Sequence, residues 1–322
     1  MTALFGIMAF LPSYAQNSWK DYEKAREILE STKLETRIGF LADSLCQGRA
    51  TGTRGGVEAA AWLARQFEEI GLMRLDGSWF KSFKEDNGVV GRNVIGIYRG
   101  RKGGDSEKYT IIGAHFDHLG VLDGKHYPGA DSNASGTAAM LTIAEMLKSR
   151  DNYGNTIIFV GFDGNEADMA GSRAFWKLIE KGRLFDPHTG RAITKDKISL
   201  MVNIDQIGAT LSPLRQSRKD YIIMLGNHSI SPSKRDVLYT CNRLFITHLD
   251  LGYDYYGSEN FTKIFYRLSD QRPFVDNGIP AVLFTSGITM KTNKTYDNAE
   301  SLDFPVLRRR ILLMFHWLDK ML

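Results

Sequence analysis

Apolar residues fall along this chain in two rhythms. One is a set of short, nearly unbroken runs: NVIGIY (93–98), YTIIGA (109–114), TIIFVGF (156–162), SLMVNID (199–205), YIIML (221–225) and PAVLFT (280–285). Runs of this length, rich in Val and Ile and bounded by Gly, Pro or polar residues, predict strands buried on both faces. The other rhythm has the helical period. Ala60, Leu63, Ala64 and Phe67 recur on one face of 55–70, and Gly71 stands where a C-terminal cap belongs. Met140, Ile143, Ala144 and Leu147 do the same in 133–150, with Asn133 placed to cap the start. Further helices are predicted over 17–35, 171–181, 233–244 and 304–322. Strands that alternate with helices imply a mostly parallel mixed sheet covered on both faces, a three-layer α/β/α architecture. No Pro/Gly/Ser-rich linker and no internal repeat divides the chain, so 16–322 reads as one domain.

The start of the chain breaks the pattern. Ala3 to Leu11 is a short apolar run, and Ser13-Tyr14-Ala15 after it fits small-x-Ala cleavage, so 1–15 is expected to be a signal peptide and the protein exported, periplasmic or secreted. The basic n-region of such a signal is missing, which a start codon set too far downstream explains. A buried N-terminal segment is the alternative. No run of 18 or more apolar residues predicts a membrane span.

The bulk properties are those of an ordinary globular protein: 322 residues, 43% hydrophobic, 24% charged, net charge +4. The basic clusters Arg215–Lys219 and Arg308–Arg310 are not interleaved with aromatics, so each is expected to be a solvated face, and no nucleic-acid partner is implied. The two cysteines, Cys46 and Cys241, form no metal motif. Their spacing leaves both a pair and two buried free thiols open.

In a parallel sheet, ligands bind beyond the carboxyl ends of the strands. The candidate chemistry sits there: His115 and Asp117 after 109–114, Asn165 and Glu166 after 156–162, and Asp205 closing 199–205. A loop after Asp117 leads to the corner Asp131-Ser132-Asn133, where a helix opens. Asp163 and Asp168, beside the Asn-Glu pair, are expected to be structural or exposed. There is no Gly-x-Ser-x-Gly elbow and no phosphate loop.

These residues carry a resemblance. CQGRATGTRGGVEAAAWLARQF, GAHFDHLG, PGADSNASGTAA, FVGFDGNEADMAGSRAF, MVNIDQIG and SDQRPFVDNGIPAVLFTSG together resemble the zinc-dependent exopeptidases of the bacterial leucyl aminopeptidase type. Relatives of that family include glutaminyl cyclases and transferrin-receptor-like proteins. The resemblance implies the zinc exopeptidase fold, of the phosphorylase/hydrolase-like kind, and a site of two zinc ions bridged by a carboxylate. His115, Glu166 and Asp205 match metal ligands. Asp117 matches the acid that orients the ligand histidine. His118 belongs to the family's ordinary His-x-Asp-His segment.

Three positions depart from the pattern. Ser132 stands where the family has its bridging Asp, Asn165 where it has the general-base Glu, and Asn293 where it has its second His ligand. A serine hydroxyl cannot offset the repulsion of two cations held about 3.5–4 Å apart. An amide has no basic site at physiological pH, and general-base catalysis is worth roughly 10²–10⁴-fold. Catalytic zinc takes three protein ligands and a water, and neither half-site keeps three. The family cofactor is therefore expected to be reduced to one weakly bound metal or none. The expected function is that of a metallopeptidase-like protein, catalytically impaired, that binds a peptide or small ligand at the strand ends. The alternative is a single-metal aminopeptidase-type hydrolase that removes N-terminal residues, or a glutaminyl-cyclase-like acyltransferase. Oligomeric state is left open.

Overall fold

The computed structural model describes residues 13–102, 106–150, 153–210, 219–255 and 257–322. The apolar run Ala3–Leu11 lies outside them, as do residues 215–218 of the first basic cluster. The strands, in chain order, are β1 (Met73–Arg74), β2 (Phe80–Lys84), β3 (Val90–Tyr98), β4 (Tyr109–His115), β5 (Gly120–Leu122), β6 (Lys125–Tyr127), β7 (Thr156–Phe162), β8 (Ile198–Ile204), β9 (Tyr221–Leu225), β10 (Asp250–Gly252) and β11 (Ala281–Thr285). The longer helices are α1 (Ser13–Ser31), α2 (Leu34–Ala42), α3 (Arg54–Ile70), α4 (Gly136–Arg150), α5 (Ala170–Glu180), α6 (Pro232–Leu244), α7 (Glu259–Phe265), α8 (Arg272–Asp276) and α9 (Phe304–Met321).

Nine strands form one sheet in the order β1-β3-β7-β4-β8-β11-β9-β10, with β2 also paired to β3. Its centre, β7-β4-β8-β11, is parallel; β3 runs antiparallel to β7, and β9 antiparallel to β11. Side chains alternate between the faces as the pleat requires. Ile112, Ile157, Phe159, Val202 and Val282 pack with α3, α4, α6 and α9 on one side. Their neighbours Ile111, Ile158, Val160, Met201 and Ala281 pack on the other side with Phe175, Trp176 and Ile179 of α5 and with Phe274. The mostly parallel α/β/α arrangement expected from the apolar runs is the one observed.

Each long predicted strand is present to within a few residues. The pieces that the pattern did not reveal are the edge strands β1, β2 and β10 and the β5–β6 hairpin. They are two to five residues long, and β2 (FKSFK) carries lysines on its open edge. The predicted helix from Asn133 begins at Gly136, after an irregular turn over 130–135, and Asn133 Oδ1 accepts the Gly136 N–H at 3.0 Å as a cap would. Gly71 ends α3 in the left-handed conformation, at φ 81°.

The cluster Arg308–Arg310 is not the solvated face expected of it. Arg310 is fully buried, and its guanidinium donates to the carbonyls of Tyr221, Ile207, Ala209 and Lys219. Helical geometry explains this, because consecutive residues point about 100° apart and one of three must face the core. Cys46 and Cys241 are both free and buried. Among the described residues, no helix is long and apolar enough to cross a membrane.

Candidate functional site

The adjacent strands β7, β4 and β8 deliver Asn165 and Glu166, His115 and Asp117, and Asp205 to one end of the sheet. His115, Ser132, Asn165, Glu166, Asp205 and Asn293 all line a single cavity of about 430 Å³. Asp117 lies beneath it, fully buried.

Asp117 shapes the floor by holding main chain. Its Oδ1 accepts the N–H of Asn165 and its Oδ2 that of Glu166, each at 3.1 Å. His115 Nδ1 meets the carbonyl oxygen of Asp117 at 3.1 Å and lies 3.6 Å from the carboxylate. On the other side of the ring, Nε2 faces Asp205 Oδ1 at 3.4 Å. Burial alone would depress the imidazole, but Asp205 and Asp117 outweigh it and hold its pKa well above the usual value. Burial raises and His115 lowers the carboxyl of Asp205, and the balance keeps it below the ordinary range. Asp205 Oδ2 also accepts the Ser269 hydroxyl at 2.6 Å.

The other side chains are similarly engaged. Asn165 Nδ2 donates to Asp270 Oδ2 at 2.9 Å. Glu166 Oε1 lies 3.2 Å from Nδ1 of the buried His118, in a geometry short of a hydrogen bond. Asp131 points away from the cavity, with Oδ1 accepting the N–H groups of Gly208 at 2.7 Å and Ala209 at 3.0 Å. Asp297 ties down the corner by accepting the N–H groups of Asp131 and Ser132 at 2.9 and 3.2 Å. Asn293 adopts a left-handed backbone, φ 59°, that asparagine tolerates better than most residues. Asp163 is buried and takes the Thr51 hydroxyl and the Arg92 N–H, whereas Asp168 is exposed and pairs with Arg173.

Several residues that build this site were not visible in the sequence. Arg49 is fully buried and donates to the carbonyls of Phe116, Leu41, Pro128 and Gly129, which pins the loop after β4 to the approach of the corner. Asp270 and Asp297 act on an amide side chain and on backbone N–H groups, and no spacing rule marks such roles. Asp270 does fall inside the quoted SDQRPF stretch. The apolar wall of the cavity, with Leu225, Tyr255, Phe265 and Leu268, is contributed largely by the segment from Tyr255 to Leu268, whose short helix α7 the periodicity did not disclose.

A zinc pair asks for more than this lining offers. His115 Nε2 and Asp205 Oδ1 stand 3.4 Å apart, close to the edge of a zinc tetrahedron with bonds of about 2.0–2.1 Å. Ser132, which lines the same cavity, adds only a neutral hydroxyl to that pair. Beside Glu166 stands the buried His118, with Nδ1 at 3.2 Å, while the neutral Asn165, whose amide is held by Asp270, and Asn293 line the same cavity. Among the described residues, no three His, Cys, Asp or Glu side chains converge as a metal site would require. The residues present do not fit a di-zinc centre.

A mixed α/β/α sheet with His-x-Asp, Asn-Glu and Asp at the ends of three neighbouring strands defines a metallopeptidase-type scaffold. The chain belongs to peptidase family M28, whose profile matches residues 93–317. It is 26% identical over 264 residues to leucine aminopeptidase 1 of Aspergillus clavatus, covering 77% of this chain and 61% of that one. It is 33% identical over 136 residues to a probable leucine aminopeptidase of Trichophyton verrucosum, covering 40% and 36% of the two chains. The chain thus spans less than two thirds of the length of these relatives. Among solved structures, the LapA aminopeptidase of Legionella pneumophila superposes with a TM-score of 0.68 at 16% identity, over 93% of this chain and 74% of that one. Porphyromonas gingivalis glutaminyl cyclase superposes with a TM-score of 0.65 at 18% identity, over 92% and 98%. The zinc aminopeptidase BSAP of Bacillus subtilis gives 0.65 at 13% identity, over 89% and 94%. At these identities the likeness establishes the fold.

Proposed function

We propose that this M28-family chain is exported and catalytically impaired, and that it uses the cavity at the strand ends to bind a peptide or small ligand. The observation that carries the proposal is Asn165. It occupies the general-base position, and its Nδ2 is committed to Asp270 at 2.9 Å. An amide held there cannot take a proton from water, and losing a general base costs roughly 10²–10⁴-fold. Ser132 supports the reading, since it brings one neutral oxygen to the position where the resemblance expects a bridging carboxylate. Export rests on the apolar run Ala3–Leu11 and on Ser13-Tyr14-Ala15. A second reading, a single-metal aminopeptidase, is favoured by the 3.4 Å separation of His115 Nε2 and Asp205 Oδ1. In that reading His115, Asp205 and Glu166 would hold one ion.

The two are separated by elemental analysis of the purified protein together with turnover of leucine anilide. The first reading expects sub-stoichiometric zinc and no turnover. It also expects the combined reversion Ser132→Asp, Asn165→Glu, Asn293→His to gain zinc in a calorimetric titration. Stoichiometric zinc, with turnover that His115→Ala abolishes, would establish the second.

A further inference from the structure

A belt of apolar side chains lies around the mouth of the strand-end cavity. Phe261, Ile264 and Leu268 recur at helical spacing along α7 and the turn after it, while Ile288, Met290 and Tyr296 stand on the loop between β11 and α9. Their exposure runs from 37% at Ile288 to 86% at Met290. The two stretches are joined. Leu268 and Ile288 both line the cavity. The Ile288 N–H donates to the Tyr255 hydroxyl, Tyr255 stacks on Phe265 with centroids 4.1 Å apart, and Phe265 stacks on Phe261 at 6.3 Å. On the loop, the Tyr296 hydroxyl donates to the Met290 carbonyl at 3.4 Å. With about 200 Å² for a large side chain, the belt leaves on the order of 600 Å² open to water, at the upper end of what a monomer displays.

The charge around this belt is basic on balance. Glu259 pairs with Lys263 at 2.6 Å, and Asp276 pairs with Arg267. Asp254 and Asp303 turn to main chain, accepting the N–H groups of Gly257 and Val306. Lys291 and Lys294, which lie between Met290 and Tyr296, meet no carboxylate among the described residues.

From these observations we propose that the belt docks the protein on an anionic phospholipid surface, with the cavity mouth at the lipid–water boundary. Aromatic, aliphatic and methionine side chains leave water when they enter the headgroup region, contributing in proportion to the area covered. Lys291 and Lys294 keep their ammonium groups at the level of the lipid phosphates, where their charge finds the partners that the protein does not supply. A second copy of the chain fits less well. A standard interface covers about 800 Å² per partner, more than the belt offers, and two facing copies would set these lysines against their own counterparts. The proposal does not depend on whether the site turns over, because the belt has no part in the chemistry. It concerns where the protein sits and from which side a ligand reaches the cavity.

The test is cosedimentation of the full chain with vesicles of phosphatidylcholine alone and of phosphatidylcholine mixed with phosphatidylglycerol. The mixed vesicles are expected to bind at least ~10-fold tighter, since each lysine near an anionic surface contributes about fivefold, and added salt should weaken that binding. Lys291→Ala combined with Lys294→Ala should cost ~30-fold on the mixed vesicles. Ile264→Ser combined with Met290→Ser should cost ~10-fold or more by removing apolar surface. All of these positions are open to solvent, so the variants should keep the native urea midpoint. Tyr239→Ser on α6, at a side chain 55% exposed but outside the belt, should bind as the native protein does. Absent binding to the mixed vesicles, equal binding to both kinds, or binding that neither double variant weakens would overturn the proposal. Sedimentation equilibrium without lipid addresses a second copy. A monomer is expected, and a dimer that Ile264→Ser with Met290→Ser dissociates would assign the belt to self-association and overturn the membrane reading.

Discussion

Replacing Arg49 with leucine removes a cation that no carboxylate pairs with directly. The guanidinium spends its donors on four carbonyls drawn from separate parts of the chain: Leu41 at the end of α2, Phe116 just past β4, and Pro128 and Gly129 before the corner. Leucine fills part of the volume but donates nothing, so four buried acceptors lose a charged donor. Hydrogen bonds to charged groups are each worth about 1.5–3 kcal/mol. They do not add, and burial works against the native cation, pushing its pKa down to about 10. Leaving a buried acceptor without its donor costs about 1–3 kcal/mol, so with four acceptors whose losses do not add the expected total is about 3–5 kcal/mol, a large share of the roughly 5–15 kcal/mol that stabilises a domain. The variant should therefore unfold in urea about 3–5 kcal/mol more easily at an unchanged m-value, as long as unfolding stays two-state. Arg49→Lys keeps the charge, yet three donors on one nitrogen cannot reach all four carbonyls, so it should recover only part of the loss. A leucine variant within about 1 kcal/mol of the native protein would refute the idea that this residue clamps the site loops, given that typical substitutions already cost that much.

Two further perturbations read other parts of the structure. His316 in α9 is buried and stacked on Phe245 with centroids 3.5 Å apart, and burial, assisted by Arg150 and Lys320, pulls its pKa down to about 3. Its folded value lies below the unfolded one near 6.5, so the unfolded chain binds the extra proton and stability is lost as pH falls from about 6.5 toward 3. His316→Phe should remove about 2 kcal/mol of the stability difference between pH 7 and pH 5, and equal pH dependence in the two proteins would contradict this. Gly171 opens α5 beside the site, where an added Cβ would stand 2.0 Å from the Asp163 carbonyl oxygen and 2.4 Å from Asn93 Oδ1. Gly171→Ala should cost about 1–3 kcal/mol in chemical denaturation, through a shift of backbone. A loss below about 0.5 kcal/mol would show that the turn gives way freely, since ordinary exposed substitutions cost no more.

The sequence was legible where one physical rule dominates. The central strands are long apolar runs because both faces are covered, and no other reading accommodates TIIFVGF between polar boundaries. The edges were not legible, because FKSFK or a two-residue pairing at Met73–Arg74 carries too few positions to declare a period. Among the site positions, those on the strand ends could be found from residue type and placement. Asn293 needed the resemblance, since nothing local distinguishes it within TMKTNKTYDN. Arg49, Asp270 and Asp297 stayed hidden for a common reason. Each acts on backbone groups or on an amide, and such partners are set by tertiary approach rather than by sequence spacing.

That same division separates the residues that hold the shape of the site from those whose side chains face its cavity. The corner at Ser132 is held by Asp297 on its N–H groups and by Asn133, which accepts from Gly136 and Gln206 and donates to the Ile204 carbonyl. The turn at Asn165 and Glu166 is held by Asp117, and the Gly208–Ala209 turn by Asp131. In every case a buried carboxylate or amide satisfies main-chain donors, a role that needs no metal and that neutral replacements at 132, 165 and 293 leave untouched. Buried backbone N–H groups must be paired wherever they lie, so these anchors are under a structural demand that is independent of any catalysis at the site. Positions whose side chains face the cavity carry no such demand. Under the proposed reading, Ser132, Asn165 and Asn293 bring neutral oxygen-bearing side chains where the resemblance expects a base and ligands.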